Sequence, residues 1–272
     1  LEFRRVLFRS EELFTCTVFQ RKKLHQGSKS GWKENKTMNT FRRAAAEFIG
    51  TCVLVVVGCG TAMTVGCSGT GYLLTALAFG LGLLTMAYSI GNISGCHINP
   101  ALSFAMLILG KMSYKDFFAY ILAQNLGALA GSGILSLIFK MGNLTDRTGV
   151  YGANGLGALE GDIAAGLIVE LVLTFIFVTA VLGISDREDR TDLSGLISAL
   201  SLSGVHILGI GLTGTSVNPA RSLGPALMSL FVNGNTRPLA NLWIFIVAPL
   251  AGASLAALVY NWLRGRTGLA ED

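Results

Sequence analysis

Two Asn-Pro-Ala triplets, Asn99-Pro100-Ala101 and Asn218-Pro219-Ala220, carry the chemistry this sequence offers. Asparagine is among the best helix N-caps, and proline suits the first helical position, where its missing N–H removes no bond. Each triplet therefore predicts a helix start. Each is followed by only about ten apolar residues, 101–109 and 220–230, half of what crosses a bilayer. If each Asn carbonyl oxygen caps its own helix, the two side-chain amides keep N–H groups to donate. Two such helices meeting by their caps would present those donors to one point, together with two positive dipole ends, each worth about half a charge. Such a site binds neutral oxygen acceptors and repels cations, hydronium included. Arg221 follows the second triplet directly, and a charge buried there needs a cavity and carbonyl partners.

Around these motifs the chain is a series of apolar stretches, at 41–65, 71–92, 114–140, 162–184, 193–212 and 239–263, each long enough to span a membrane as a helix. Only 14% of the 272 residues are charged and mean hydropathy is positive, which excludes an ordinary soluble enzyme, a disordered tail and a disulfide-knit secreted module. The net charge of +5 does not mark a nucleic-acid binder, because all of it lies in residues 1–37, which hold nine Lys/Arg against four Asp/Glu. That segment has no sustained apolar period, and its opening LEFRRVLFRS resembles translated sequencing adapter. It is expected to be foreign to the native protein or a disordered basic tail, with the folded domain occupying 38–272. Five cysteines without metal-like spacing predict neither a disulfide framework nor a metal site, and Cys52, Cys59 and Cys67 read as small apolar residues.

The chain also repeats itself. Glu47-Phe-Ile-Gly-Thr51 matches Glu170-Leu-Val-Leu-Thr174, His97-Ile-Asn-Pro-Ala-Leu-Ser103 matches Ser216-Val-Asn-Pro-Ala-Arg-Ser222, and Ala123-Gln-Asn-Leu-Gly-Ala128 matches Ala248-Pro-Leu-Ala-Gly-Ala253. The halves, about 41–140 and 162–263, hold three spans each, so the second must enter the membrane the opposite way round. The expected fold is all-α: six transmembrane helices and two half-helices in an inverted repeat, with the site where the halves meet. Polar backbone at that depth is tolerated only where it lines a cavity or is buried in protein. Glu47 and Glu170, symmetric and mid-span, are expected to hold the triplet loops by accepting their backbone N–H groups rather than to relay protons. Positive charges near the span ends favour both termini in the cytoplasm: Arg42, Arg43, Lys111, Lys115, Arg187, Arg190, Arg264 and Arg266 fall on one side, Lys140, Arg147 and Arg237 on the other. Gly127 and Gly131, at small-xxx-small spacing, predict close helix packing.

The two triplets with their flanks, in a six-span inverted repeat, resemble the major intrinsic protein family of aquaporins and glycerol facilitators, and within it the bacterial water-channel branch. The likeness covers 38–264. It implies a constriction made by Phe79, His206, Thr215 and Arg221, the water-selective combination, with Ser222 where glycerol channels tend to carry Asp. It implies a homotetramer in the bacterial inner membrane with water as permeant, lipid as surroundings, and no catalysis, cofactor or nucleic-acid partner. His97 and Cys96 are expected to line the pore; Cys96 stands where Thr215 stands in the second half, and a mercurial should block it. One departure weakens glycerol exclusion: Phe245 is followed by Ile246 where water channels usually carry two aromatics. A glycerol facilitator, a secondary transporter with broken helices, and a purely structural junction protein are the alternatives. The transporter would need a coupling-ion site that only Glu47 and Glu170 could supply, and the last would leave the Arg221 constriction without purpose.

Overall fold

The computed structural model describes residues 39–186 and 192–265, all within the unit Asn39–Asp272. Residues 1–37 and Arg187, Arg190 and Arg266 lie outside the described residues. The described residues form helices without a strand: α1 Thr40–Val65, α2 Thr70–Ser94, α3 Pro100–Ile108, α4 Tyr114–Met141, a 3-10 turn at Gly157–Leu159, α5 Ile163–Ser185, α6 Ser194–Thr213, α7 Pro219–Asn233, α8 Arg237–Ala240 and α9 Ile244–Leu263. Six candidate spans, the last counted from α8 through α9, are long and apolar enough to cross a membrane, so the chain is an integral membrane protein. Side-chain caps set several starts: Asn39 accepts from the Phe41 N–H, Ser113 from Asp116 and Asp162 from Ala165.

The packing repeats the sequence symmetry. In the first half α1 packs on α2 and α4; in the second, α5 packs on α6 and α9. The short helices cross over: α3 lies mainly against α9 of the second half and α7 against α4 of the first, while α2 meets α6 across the boundary. Small residues allow the closest contacts. A Cβ at Gly127 would stand 2.3 Å from the Phe48 carbonyl oxygen of α1, and one at its repeat counterpart Gly252 would stand 2.3 Å from the Leu171 oxygen of α5. Without a hydrophobic drive between helices in lipid, the van der Waals packing that such backbone approach permits is one source of cohesion.

Two elements differ from their expected bounds by more than two residues. Helix α7 runs to Asn233 before Gly234, in a left-handed conformation, ends it. The last span was expected from residue 239, but Leu239 belongs to the short α8, opened at Arg237-Pro238, and a turn precedes α9 at Ile244. An apolar run marks what is buried, not where the chain bends.

At one end of the bundle Asp186, the C-cap of α5, pairs with Lys111 after α3 and with Arg264 after α9. Partial burial pushes the Asp186 carboxyl up, but the hydrogen bond and charge of Lys111, joined by Tyr260 and Arg264, outweigh it and hold the group below its ordinary value. It stays ionised at neutral pH and clips three segments together.

Candidate functional site

The helices α3 and α7 meet by their N-termini. Asn99 Oδ1 accepts from the Ala101 N–H at 2.8 Å and the Leu102 N–H at 3.4 Å, and Asn218 Oδ1 accepts from Ala220 at 3.1 Å and Arg221 at 3.2 Å. Pro100 and Pro219 open the helices. One N–H of each amide crosses to the other half: Asn99 Nδ2 donates to the Val217 carbonyl at 2.7 Å and Asn218 Nδ2 to the Ile98 carbonyl at 2.8 Å. The sequence suggested amides free to donate inward. Half of that capacity is spent on joining the repeats, and the second hydrogen of each amide remains.

Each capping loop is carried by a buried glutamate. Glu47 accepts from the His97 N–H at 2.9 Å, the Ile98 N–H at 2.5 Å, Ser94 Oγ at 2.6 Å and Gln124 Nε2 at 2.8 Å. Glu170 accepts from the Ser216 N–H at 2.8 Å, the Val217 N–H at 2.8 Å and Thr213 Oγ1 at 2.6 Å. Both are fully buried. The loops themselves are strained, and symmetrically so. Cys96 and Thr215 have φ of 51° and 48°, Ile98 and Val217 φ of 42° and 46°. A β-branched residue in this region is a genuine outlier that persists only where its surroundings over-determine it. The glutamates and the crossing amides supply that constraint.

Three cavities run in series past these loops. The first, about 520 Å³, is lined by Cys96, His97, Met106, Val181 and the ends of α2 and α6. It shares Leu83, His97 and Phe177 with a narrow second one, whose wall is Leu54, Phe79, Ile98, Asn99, Leu202, His206, Val217, Asn218 and Arg221. The third, about 420 Å³, shares Arg221 and is rimmed by Cys67, Arg147, Thr148 and Gly214. The narrow section leaves room, about 10 Å³, for the centre of roughly one water molecule.

Phe79, His206 and Arg221 come together in that section: the Phe79 and His206 rings stack at 4.3 Å and Arg221 Cζ lies 4.8 Å from the Phe79 ring. Gly58 on α1 makes space for Phe79, whose ring edge stands 2.4 Å from where a Cβ would be. His206 Nδ1 lies 2.9 Å from the Leu202 carbonyl. A carbonyl only accepts, so Nδ1 carries the hydrogen and Nε2 of the neutral ring is an acceptor. Arg221 donates from Nη1 to the Gly152 oxygen at 3.0 Å and Asn154 Oδ1 at 2.7 Å, and from Nη2 to the Gly214 oxygen at 3.3 Å. Thr215 is buried on the segment leading to α7 but is not among the residues lining the narrow section. His206 Nε2, Thr215 Oγ1 and Arg221 Nε are buried without a protein partner. No group of His, Cys, Asp and Glu among the described residues could hold a metal ion.

Several contributors escaped the sequence reading. Asn154 lies in the Gly-rich connection 141–161, whose composition signals only a turn. Tyr120 donates to the Ser94 carbonyl at 2.7 Å and accepts from Arg43 Nε at 3.1 Å, so the first capping loop is braced from the end of the bundle. Gln124 serves Glu47, and Pro249 replaces it in the second half. The repeat alignment displays that substitution but not its consequence. The Phe245-Ile246 departure lies off the cavities: Phe245 is buried with Ile244 against Leu156.

Residues 34–260 match the family model described as Major intrinsic protein. The chain is 40% identical over 230 residues to "Aquaporin Z" of Brucella melitensis, covering 82% of this chain and 98% of that protein. It is 39% identical over 241 residues to "Aquaporin Z" of Rhodopseudomonas palustris, covering 86% and 98%. Among solved structures it resembles the aquaglyceroporin from Plasmodium falciparum, with a TM-score of 0.73 and 24% identity over 82% of this chain and 96% of that one. At that identity the likeness concerns the fold alone.

Proposed function

The chain belongs to the major intrinsic protein family, and we propose from that premise that it is a passive channel conducting water down an osmotic gradient while excluding protons and ions. The observation that carries this reading is the narrow section: room for the centre of about one water, a mostly apolar wall, and two buried polar atoms of its lining residues, His206 Nε2 and Arg221 Nε, that have no protein partner. A water passing there exchanges lost hydrogen bonds for His206 Nε2 as acceptor, Arg221 Nε as donor, and the Asn99 and Asn218 amides farther on. Phe79 and His206 set the width. Family resemblance alone supports a place for Thr215 at the constriction, and His97 and Cys96 line the approach.

Exclusion of cations follows from the charge inventory. Arg221 places a full positive charge at the narrow section, and the N-termini of α3 and α7 add partial positive charge where the halves meet. Glu47 and Glu170 are not free to ligate a passing cation, because their oxygens are occupied by loop donors. A scaffold role suits that occupancy better than proton relay, and no coupling-ion site is needed for a passive channel. The protein acts as a transporter and not as an enzyme. Family resemblance supports a homotetramer with a lumen in each copy. The excess of Arg42, Arg43, Lys111, Lys115 and Arg264 on one side supports cytoplasmic termini in a bacterial inner membrane.

Stopped-flow light scattering on proteoliposomes tests the reading. Rapid osmotic shrinkage with slow glycerol uptake is the expected result. Shrinkage no faster than in protein-free vesicles would remove it, and rapid glycerol uptake would replace it with the facilitator. The same preparation tests Cys96: a mercurial is expected to slow shrinkage, Cys96→Ser to be spared, and Cys67→Ser, altered at the opposite cavity, to stay sensitive. Flux indifferent to the reagent would take Cys96 out of the lumen.

A further inference from the structure

We propose that Asn154, from the loop that joins the two halves, is a positioning residue that holds the Arg221 guanidinium against the lumen wall and thereby sets both water flux and cation exclusion. The inference rests on the channel reading above. Asn154 is 3% exposed. Its Oδ1 accepts from Arg221 Nη1 at 2.7 Å and from Ser222 Oγ at 2.7 Å, and its Nδ2 donates to the Thr213 carbonyl at 3.3 Å. The amide is thereby fixed to the C-terminus of α6 and the first turn of α7, and an amide so held cannot rotate away from the guanidinium.

The loop presenting it is built without help from Arg221. Asp146 accepts from the Thr148 N–H at 2.9 Å, Thr148 Oγ1 at 2.7 Å and the Tyr151 N–H at 2.7 Å. Thr148 Oγ1 in turn accepts from the Gly152 N–H at 2.9 Å, and the Gly155 N–H donates to the Thr213 carbonyl at 3.1 Å. Residues 152 and 154 are therefore held by contacts that do not involve the guanidinium.

The residue type matters as much as the position. Arg221 has two other anchors, the Gly152 and Gly214 carbonyls, and all three acceptors are neutral. A carboxylate at 154 would also accept from Nη1, yet it would cancel the charge that repels cations and could not donate to Thr213. Asparagine is the side chain of this size that both grips the guanidinium and leaves its charge whole. Removing the 2.7 Å grip leaves only the longer bonds to the Gly152 and Gly214 carbonyls on a long side chain at a section with room for one water, so the guanidinium reaches into the path more often.

Asn154→Ala and Asn154→Asp, in the parent and in the Arg221→Ala background, test this with water flux and proton and sodium leak measured in one set of proteoliposomes. Asn154→Ala is expected to slow osmotic shrinkage about threefold or more in the parent and to change it little where Arg221 is already absent, the non-additivity of a residue acting through another. Asn154→Asp is expected to raise the ratio of proton leak to water flux by about fivefold or more, because the net charge at the constriction falls from one to zero. Equal loss from Asn154→Ala in both backgrounds would mean general damage to the fold and would overturn the proposal, as would parental flux. If the alanine variant is not recovered in folded form, the aspartate variant decides alone, and an unchanged leak ratio overturns it. A parent that conducts no water would instead refute the channel reading itself.

Discussion

Vesicles carrying Arg221→Ala are expected to leak protons and sodium at least about tenfold faster than the parent, while still shrinking in an osmotic gradient. Two unit charges about 4 Å apart at an effective dielectric of about 20 repel by about 4 kcal/mol, close to a thousandfold in rate. The α3 and α7 termini remain and hold part of the barrier, so tenfold is the conservative figure. Glycerol uptake should rise as well, because the guanidinium is one wall of the narrow section. The fold should survive. The acceptors left behind, Gly152 and Gly214 among them, border the third cavity, where water can donate to them. Proton and sodium leak measured by pH- and sodium-sensitive dyes decides the matter, and a variant as tight as the parent would place cation exclusion wholly with the paired helix ends.

The second large effect is on assembly. Glu170→Leu removes the acceptor for the Ser216 and Val217 N–H groups and for Thr213 Oγ1, all buried. Unsatisfied buried donors cost about 1–3 kcal/mol each, so the loss is about 3–9 kcal/mol, comparable to the total stability of many domains. The loop also holds Thr215 and Val217 at positive φ, and without the carboxylate their relaxation is opposed mainly by the Asn99 amide on the Val217 carbonyl. The variant is expected to be recovered poorly from membranes and to unfold at a much lower temperature in detergent. Glu47→Leu should be at least as severe, since Glu47 also carries Ser94 and Gln124. Thermal unfolding followed by helix signal checks both. A folded, conducting Glu170→Leu channel would show that the crossing Asn99 and Asn218 amides hold the loops unaided.

Much of this molecule is legible without coordinates because the membrane leaves few options. A span must satisfy its own backbone, so an apolar stretch of sufficient length is a helix, and three spans per repeat force the inversion. The triplets are legible because cap and proline chemistry is local: Asn99 and Asn218 sit at the N-termini of α3 and α7. Glu47 and Glu170 stand out as carboxylates in apolar surroundings. The break inside the last span was not legible, since Leu239 and Leu242 are apolar whether they lie in a membrane helix or in the short α8 and the turn that follow α7.

The rest depends on contacts between residues far apart in the chain. Nothing near Asn154 in sequence says that it faces Arg221, 67 positions away, because a Gly-rich connection leaves its side chains undirected until the surrounding helices fix them. The crossing bonds from Asn99 to Val217 and from Asn218 to Ile98 turn two capped half-helices into one junction, and they exist only once α3 and α7 are docked by the opposite halves. The sequence alone determined the inventory: helices, their inversion, two caps, an arginine and two carboxylates. Tertiary structure decided the width of the lumen, the direction of each donor and which loop holds the arginine, because those are set by packing distances of tenths of an ångström rather than by residue type.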